Sequence, residues 1–462
     1  MKKPLFIAST AILLAAFTVS CGGFSARKAD NRGSRDTVGI RPQNESFIRA
    51  RINPESYIGY PDFITAPTVG NGYIFVSAQH GSDEGDGSFN SPYGTVSHAL
   101  SKAKEGDTVY IRGGTYRESA VVNNRGTKDK FINIVAYNGE KPVFDCRDSQ
   151  SPAAFTFTGS SAYIRISGIE ICNYSSSGIC VKEGAQNIII EDVKIHDIST
   201  PNYTENSSQA ILGSGKNILI KNCELFDIGQ DRMTRLDSCI NLGKPENWVI
   251  DSNSLSNAPG AGIQQYSNNA KQSAGKNVYI QNNVIKNCKY GFSLSSCDRF
   301  FISNNDVINV NSSYFYISAD VKDCVIQNNI FLSLYKSGSL YSAGEWNSDR
   351  IKQAKVQSNL IVCSAKAQFE NNTITNNILF QALDCKICVG GKWSGVRDAA
   401  DFDADNTYDA LFETDPLLTS AENSDYTPQE DGPCISTGIS NAYTPKRNMC
   451  GKKRETVNIG AY

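Results

Sequence analysis

The chain has 462 residues, with 45 Lys and Arg against 47 Asp and Glu, and a formal net charge of −2. This balance offers no general attraction for nucleic acid or for an anionic membrane surface, so neither is expected as a partner. The length would ordinarily suggest two or three domains, but a repeat architecture grows along one axis and escapes that expectation.

The first twenty residues have the layout of a secretory signal peptide. Lys2 and Lys3 precede an apolar run over residues 4–19 that is too short for a lasting membrane span. The run ends in Thr-Val-Ser-Cys-Gly, which resembles the lipobox of bacterial lipoproteins and implies lipid attachment at Cys21. The alternative is an ordinary secretory signal with a chance cysteine. The sequence therefore predicts a lipid-anchored protein on the bacterial cell surface, in the outer membrane if the cell is Gram-negative.

Residues 21–60 are predicted to form a lipidated cysteine followed by a flexible tether. From Gly23 to about Glu55 the chain is rich in Arg, Asp, Ser and Asn and has no apolar period that could bury a face. The lipid is thus the only predicted contact with the membrane, and a monomer is expected.

The cysteines do not form a complete set of pairs. Fourteen are present, and removing Cys21 leaves an odd number. For Cys385 and Cys388 we expect a local disulfide or simple packing, because a zinc site needs four ligands. Cys434 and Cys450 are a candidate clasp near the C-terminus. The three histidines are far apart in sequence and form no metal-ligand motif.

An N-terminal cap and the first turns are predicted over residues 61–130. The stretch Thr95 to Lys104 has apolar residues at a helical spacing, and a strand follows from Thr108 to Ile111. A helix here would close the open end of a solenoid, which otherwise exposes its core and unpaired backbone.

A nine-residue pattern with alternating apolar residues repeats through residues 131–380. Copies begin at Asn187, Asn217, Asn247 and Asn277, 30 residues apart, and further copies begin at Tyr163, Arg299, Asp323 and, less closely, Gln353. Short strands separated by Asn, Asp, Ser and Gly, with no amphipathic helical period, exclude helical repeats. The pattern predicts an all-β fold, a right-handed parallel β-helix of about ten turns stacked at about 4.8 Å, with an N-terminal capping helix.

Short polar residues recur at fixed places in the repeat and are predicted to form hydrogen-bonded ladders along the rod. The fifth residue beyond the repeat start is Asp192, Asn222, Ser252, Asn282, Asn304 and Asn328. The tenth is Asp197, Asp227, Asn257, Asn287 and Asn309.

The segment from Gly81 to Tyr116 closely resembles the N-terminal cap of secreted β-helix proteins such as the family 9 pectate lyases and their uncharacterised relatives. The closing VNIGAY from Val457 and the LFETDPLL from Leu411 resemble the C-terminal ends of such proteins, so residues 381–462 are predicted to be an irregular C-terminal cap. The resemblance implies the β-helix fold and a role with polysaccharide, with the substrate lying along the face made by the first strand of each turn.

On that face, strand alternation predicts outward side chains at Cys180, Ile211, Asn241, Gln264, Ser293 and Tyr316. The longest loops, 199–208, 229–237 and 266–276, lie on adjacent turns, and long insertions on one part of a solenoid usually mark its binding face. The predicted substrate-binding residues are Asn241, Gln264, Tyr266, Tyr290 and Tyr316, whose amides and rings suit sugars.

A lyase acting on a uronate must remove a proton next to a carboxylate. It needs a cation, often calcium on aspartates, to neutralise that carboxylate, and a Lys or Arg as base. Lys289 and Arg235 are the candidate bases. Asp227, Asp231 and Asp237 are the candidate metal ligands, and extracellular polysaccharide such as pectate is the candidate partner.

The chain departs from family 9 in two places. Gly291-Phe292 is followed by Ser293, where the family carries its catalytic lysine, and the consecutive aspartates of the family's calcium motif are absent. A hydrolase using Asp237 with Asp227 or Asp231 stays open, as do a non-catalytic glycan-binding or adhesin-like protein and a structural envelope protein.

Overall fold

Short strands separated by residues in the left-handed backbone conformation wind the chain into successive parallel coils. The computed structural model describes residues 52–70, 72–148, 151–199, 207–229, 237–266, 275–333, 359–380 and 385–462. All of these belong to one compact unit, Ile48–Tyr462. The predicted signal peptide and Cys21, together with Asp231 and Arg235, lie outside the described residues.

Each coil contributes one strand to each of three stacks, here called sheets A, B and C. Sheet A contains Ala120–Val122, Ala153–Phe157, Ser177–Val181, the first part of Gln209–Lys221, the first part of Ser238–Asp251, Ala261–Gln265, Tyr290–Leu294, Ser313–Ile317, Asn359–Cys363 and Lys386–Val389. Lys392–Gly395 pairs antiparallel with the last of these.

Sheet B follows sheet A along each coil. It contains Tyr73–Val76, Thr108–Ile111, Ile132–Ala136, Ala162–Ser167, Gln186–Glu191, the second parts of Gln209–Lys221 and Ser238–Asp251, Gly275–Gln281, Cys297–Ser303, Val321–Lys322, Val325–Gln327, Phe369–Glu370, the first part of Thr373–Phe380, and Thr407–Glu413.

Sheet C completes the coil. It contains Gly114–Tyr116, Pro142–Asp145, Glu170–Cys172, Lys194–Ile198, Glu224–Ile228, Ser254–Ser256, Val284–Lys286, Asp306–Ile308, Ile330–Leu332 and the second part of Thr373–Phe380. A separate antiparallel hairpin pairs Leu418–Ser420 with Asp425–Pro428. All pairings between successive coils in these lists are parallel, and about ten coils are stacked, which confirms the predicted parallel β-helix.

Asparagine and aspartate recur in the sequence because the corners of each coil need a positive φ, which these residues tolerate better than most. The two predicted polar rows and the repeat-start row all adopt it, with φ of 54° at Asn187, 54° at Asn222 and 57° at Asn257, for example. The repeat-start asparagines also form a hydrogen-bonded ladder, in which the Nδ2 of Asn217 donates to the Oδ1 of Asn187 over 3.2 Å. The 30-residue repeat is thus confirmed.

A second asparagine ladder lies inside the rod, one residue beyond the fifth position. Its members have at most 1% of their surface exposed and are Asn253, Asn283, Asn305, Asn329 and Asn377. Each side-chain Nδ2 donates to the Oδ1 of the next member over 2.9 Å. The fifth-position asparagines next to them form the left-handed corner instead.

The rod is filled by inward-facing aliphatic and aromatic side chains and is closed at its first coils by a helix. The α-helix Val96–Lys102 begins after the N-cap Thr95, whose side chain accepts from the backbone N–H of His98, and buries Val96, Ala99 and Leu100 in the core. The predicted capping helix and the strand Thr108–Ile111 are therefore confirmed. The remaining helices are short: Pro54–Tyr57, Val396–Asp398, Ala399–Phe402 and Ala421–Asn423. No helix among the described residues is long and apolar enough to span a membrane.

The two chain ends cover the outer faces of two sheets. The N-terminal segment, residues 52–66, packs on the apolar outer row of sheet B, which includes Ile189, Leu219 and Val249. The C-terminal segment, residues 425–462, packs on the apolar upper part of sheet C through Tyr426, Ile459 and other residues.

Two expectations were wrong. The predicted copy at Gln353 begins outside the described residues, but its last part, residues 359–361, pairs in sheet A and not in sheet C. The next equivalent coil begins at Asn371, whose Nδ2 donates to the Oδ1 of Asp323. The thirteen cysteines of the described residues form no disulfide, so the Cys434–Cys450 clasp is absent and the thiols of Cys385 and Cys388 are buried packing groups.

Candidate functional site

The outer row of sheet A is the feature that the sequence singled out. Strand register aligns Cys180, Leu212, Asn241, Gln264, Ser293, Tyr316 and Val362 along the rod. Among the described segments, neither chain end forms an apolar cluster on this row, unlike the outer rows of sheets B and C. The two end segments therefore form their apolar contacts with sheets B and C, and sheet A is the candidate functional face.

Ile211 was wrongly predicted to face outward. It aligns with Ile179 and Ile240 in the core and has no exposed surface, whereas Leu212 occupies the outer row. The error is a slip of one residue, which turns a side chain to the opposite face of a strand.

Lys289, Tyr290 and Tyr316 form one contiguous cluster, here called the lysine–tyrosine cluster, at the edge where coils enter sheet A. The Nζ of Lys289 lies 5.2 Å from the centre of the Tyr290 ring. That ring stacks on Tyr316 with centres 4.8 Å apart and planes 19° apart. Tyr290 is only 7% exposed, so it supports its neighbours, while Lys289 and Tyr316 are half-buried and can meet a ligand.

The predicted amides form the floor beside this cluster. Asn241 and Gln264 are 8% and 3% exposed, and the Nδ2 of Asn241 donates to the Oε1 of Gln264 over 3.4 Å. Tyr266 directly follows the strand Ala261–Gln265, at the edge where the coil leaves sheet A, and is 38% exposed. The ring of Tyr266 is consequently the most accessible of the predicted sugar-binding groups.

The described aspartates have structural partners. The Oδ1 of Asp227 accepts from the Nδ2 of Asn257 over 2.8 Å within the tenth-position ladder. Asp237 has no exposed surface, and its Oδ1 accepts from the backbone N–H of Ser208 over 2.6 Å. Because a fully buried carboxylate cannot reach a glycosidic bond, Asp237 does not suit the carboxyl pair of a hydrolase, whereas Asp227 is half-buried and bonded within its ladder.

No group of three or more His, Cys, Asp or Glu side chains in the described part of the chain could hold a metal ion. Asp237 and Lys289 stand immediately before aligned strand starts, Ser238 and Tyr290, that are two coils apart. Their backbones are therefore about 10 Å apart.

A titratable cluster on sheet C was not predicted. His196 places its Nδ1 2.6 Å from the Oδ2 of Asp197 and its Nε2 3.0 Å from the Oε1 of Glu170, and its ring stacks on Phe226 at 4.9 Å. Partial burial raises the pKa of Glu170, but the His196 hydrogen bond and the Lys194 charge outweigh it, so the pKa is lowered. Cys172, His196 and Phe226 align on the outer row of sheet C. The alternation of inward and outward side chains along these strands was the sequence signal that could have revealed this cluster. Both ring nitrogens are engaged, so the imidazole is held in place by its neighbours.

Comparison with known families identifies the handedness of the coil. A family model described as a Pel9A-like right-handed β-helix region matches residues 74–237, and a model of right-handed β-helix regions matches residues 211–379. The chain is thus a right-handed parallel β-helix that resembles the family 9 pectate lyases, as predicted.

Similar proteins match only in part. An uncharacterised protein, YwoF of Bacillus subtilis, is 33% identical over 138 residues, 28% of this chain and 29% of that protein. Pectate lyase L of Paenibacillus polymyxa is 31% identical over 107 residues, 21% of this chain and 22% of that enzyme. The chain therefore spans less than a third of the length of either relative.

Solved structures match over much more of the chain. Pectate lyase Pel9A superposes with a TM-score of 0.58 at 14% identity, covering 86% of this chain and 97% of that one. A glycoside hydrolase gives a TM-score of 0.54 at 10% identity, covering 78% and 99%. At such identities the likeness shows the fold alone.

Proposed function

We propose that this right-handed parallel β-helix is a surface lipoprotein that cleaves a uronate-containing polysaccharide, such as pectate, by β-elimination on sheet A. The observation that carries the proposal is the lysine–tyrosine cluster. It places an ammonium group at the entry edge of the sheet that the described chain ends leave uncovered. The similarity to pectate lyase L of Paenibacillus polymyxa, partial though it is, supports the same class of substrate.

The elimination can be written with the residues of this cluster. Lys289 in its neutral form takes the proton from the sugar carbon next to the carboxylate, and the electron pair left behind forms a carbon–carbon double bond as the glycosidic oxygen departs. The departing oxygen gains a proton from water, and Lys289 returns its proton to solvent.

The other groups of sheet A would hold the polymer. The Tyr316 and Tyr266 rings, which lie two coils apart along sheet A, would stack against different sugar units of the polymer. The amides of Asn241 and Gln264 would shape the floor. Arg235 remains a candidate second cation for the uronate. We further propose attachment through lipid at Cys21 and a monomeric state.

The test uses the unit from Ile48 onward, incubated with pectate, alginate and glycosaminoglycans while the ultraviolet absorbance of the unsaturated product is followed. If Lys289 is the base, Lys289→Ala should lower kcat by roughly 10²–10⁴-fold with a smaller change in KM. Lys276→Ala is the matched control, since Lys276 lies on sheet B and pairs with Glu246. Parallel assays with calcium and with chelator test the metal requirement.

Full activity in Lys289→Ala would refute the assigned base. No product from any of these polymers would remove the lyase proposal itself.

A non-catalytic glycan-binding protein is the second candidate. It is favoured by the exposed Tyr266 ring and by the structural commitments of Asp227 and Asp237. Retention on a uronate glycan array without product formation, reduced by Tyr266→Ala and Tyr316→Ala, would support this function instead.

A further inference from the structure

A polar cavity of about 250 Å³ lies at the seam where both chain ends meet sheet B, away from the lysine–tyrosine cluster. The N-terminal segment lines it with Ser56, Gly59 and Tyr60, sheet B with Lys221 and Asp251, and the C-terminal segment with Lys446, Arg447 and Cys450. Pockets for drug-sized ligands start at roughly 300 Å³, so this one suits a smaller molecule.

The charges that line the cavity are mostly positive. Lys221, Lys446 and Arg447 face a single acid, Asp251. None of these three cations forms an ion pair within 4.0 Å of a carboxylate of the described residues. The nearby Glu191 is already paired with Arg165 at 2.5 Å and adds no net charge.

Both carboxylate oxygens of Asp251, the acid that lines the cavity, already accept hydrogen bonds. The Oδ2 of Asp251 accepts from the Tyr60 hydroxyl over 2.6 Å, and its Oδ1 accepts from Ser252 Oγ and Asn282 Nδ2 over 2.9 and 2.8 Å. A carboxylate with three donors is well satisfied. It has little capacity left for the neighbouring cations.

The cations, in contrast, keep unused donors. Lys221 Nζ donates to the carbonyl of Ser56 over 3.0 Å and lies 4.9 Å from the Tyr57 ring centre. An ammonium group has three donors and a guanidinium five. Among the described residues, the Arg447 side chain donates from Nη1 to the Gly451 carbonyl over 2.9 Å. Charged donors with free capacity around one small cavity favour an anionic oxygen ligand.

Lys446 is held beside the cavity by its stem. A Cβ added to Gly59, which has φ of +100°, would lie 2.9 Å from Lys446 Cδ, so the bare glycine makes room for that side chain. The N-terminal segment and the C-terminal segment are thus in close contact at Gly59 and Lys446.

We propose that this cavity binds a small anionic molecule of about monosaccharide size, through a carboxylate or phosphate group held by Lys221, Lys446 and Arg447. The site is separate from sheet A and does not depend on lyase activity.

Cys450 provides the readout, because it lines the cavity and is the one exposed thiol among the thirteen cysteines of the described residues. Full-length protein is alkylated with iodoacetate or iodoacetamide, and the rate at Cys450 is followed by peptide mass spectrometry. Relative to the unfolded protein, the anionic reagent should be favoured several-fold. The double variant Lys446→Gln and Arg447→Gln should abolish that preference, whereas Lys452→Gln, on the same segment outside the lining, should keep most of it.

Protection by ligands identifies the anion. Galacturonate or inorganic phosphate at millimolar concentration should slow alkylation of Cys450 saturably, and neutral galactose should not. Protection by galacturonate alone assigns a sugar carboxylate, and protection by phosphate alone assigns a phosphate group. Equal reagent preference in folded and unfolded protein, or no protection by either anion, would overturn the proposal. Lys289→Ala should leave this assay unchanged, so failure here is distinguishable from failure of the lyase proposal.

Discussion

Asn305 has no exposed surface, and its amide serves two neighbouring coils at once. Its Nδ2 donates to the Asn329 Oδ1 and to the Ile280 carbonyl, each over 2.9 Å, while its Oδ1 accepts from the backbone N–H of Asn283 over 3.0 Å. A group this well satisfied stabilises the stack mainly because its loss would leave buried partners without hydrogen bonds.

Asn305→Ala should therefore lower the free energy of unfolding by about 2–4 kcal/mol, since each unsatisfied buried group costs about 1–3 kcal/mol. Urea denaturation followed by circular dichroism gives the value, and hydrogen exchange over residues 280–330 shows whether the loss stays local, as expected of a solenoid. Asn247→Gly is the control. Its ladder bonds are partly exposed and its φ of 58° suits glycine, so a loss of at most about 1 kcal/mol is expected. Equal losses in the two variants would mean that burial of the inner ladder adds nothing.

At the scale of elements, the corner between sheets B and C docks the C-terminal segment. Asn304, Asn328 and Asn376 donate through Nδ2 to backbone carbonyls of that segment over 2.7, 2.9 and 2.8 Å. In the predicted ladder these amides would bind one another along the rod. Such ladder bonds are present from Asn222 to Asp192 and, over 2.8 Å, from Asn376 to Asn328. At its upper end the row also donates to the separate C-terminal segment.

Asp306 makes this docking dependent on pH. Its Oδ1 accepts from the backbone N–H of Ala461 over 3.1 Å, and burial raises its pKa to about 7 against the lowering effects of that bond and of Arg454. Because the pKa is above that of an unfolded Asp, about 3.9, the folded state binds the proton more tightly. The stabilisation is fully present below about pH 4 and is lost as the pH rises through 7.

Asp306→Asn keeps the neutral form at every pH. The difference between the urea midpoints at pH 5 and pH 8.5 should therefore shrink in this variant, mainly because the midpoint at pH 8.5 rises. Asp431→Asn, which changes an exposed aspartate of the same segment, should leave the difference as in the parent. An unchanged difference in Asp306→Asn would show that this carboxyl does not titrate across the docking interface.

The elements that could be predicted from the sequence are those with a strong local signal. The 30-residue spacing and the recurring Asn and Asp at turn positions predicted the coils, and the apolar spacing before Thr108 predicted the capping helix. For adjacent asparagines such as Asn304 and Asn305, the sequence does not indicate which one forms the corner and which one turns inward, because either residue type suits either position. Ile211 failed for a similar reason, since register within a strand is fixed by the neighbouring coil.

The candidate site was harder to predict than the fold. The sequence placed Lys289, Tyr290 and Tyr316 on one face, but burial of the Tyr290 ring, of Asn241 and of Asp237 depends on packing between coils. The seam cavity was not predicted because Tyr60, Lys221 and Lys446 are far apart in the chain and meet only when both ends fold back. Residues in a predicted tether or in a predicted irregular cap have no sequence pattern that would indicate that they line a common cavity.

For the whole molecule, the three sheets have different outer faces. Sheet B has an apolar outer row, with Ile189, Leu219 and Val249 at most 3% exposed beneath the N-terminal segment. Sheet C is polar around His196 and apolar where the C-terminal segment lies. Such apolar rows would be contiguous surface patches without their covers, and patches of that kind promote association.

A chain that starts after Ala66 should therefore associate, whereas one that starts at Ile52 should stay monomeric. The expected result is a concentration-dependent rise in mass in light scattering after size exclusion, with the outer row of sheet B as the shared surface. Leu219→Lys in the shortened chain places a charge in the middle of this row and should restore the monomer, because burying an unpaired ammonium group against a second copy is costly. If the shortened chain is monomeric and unfolds at the same urea concentration as the longer one, the N-terminal segment is no cover, and the folded rod tolerates its apolar row in water.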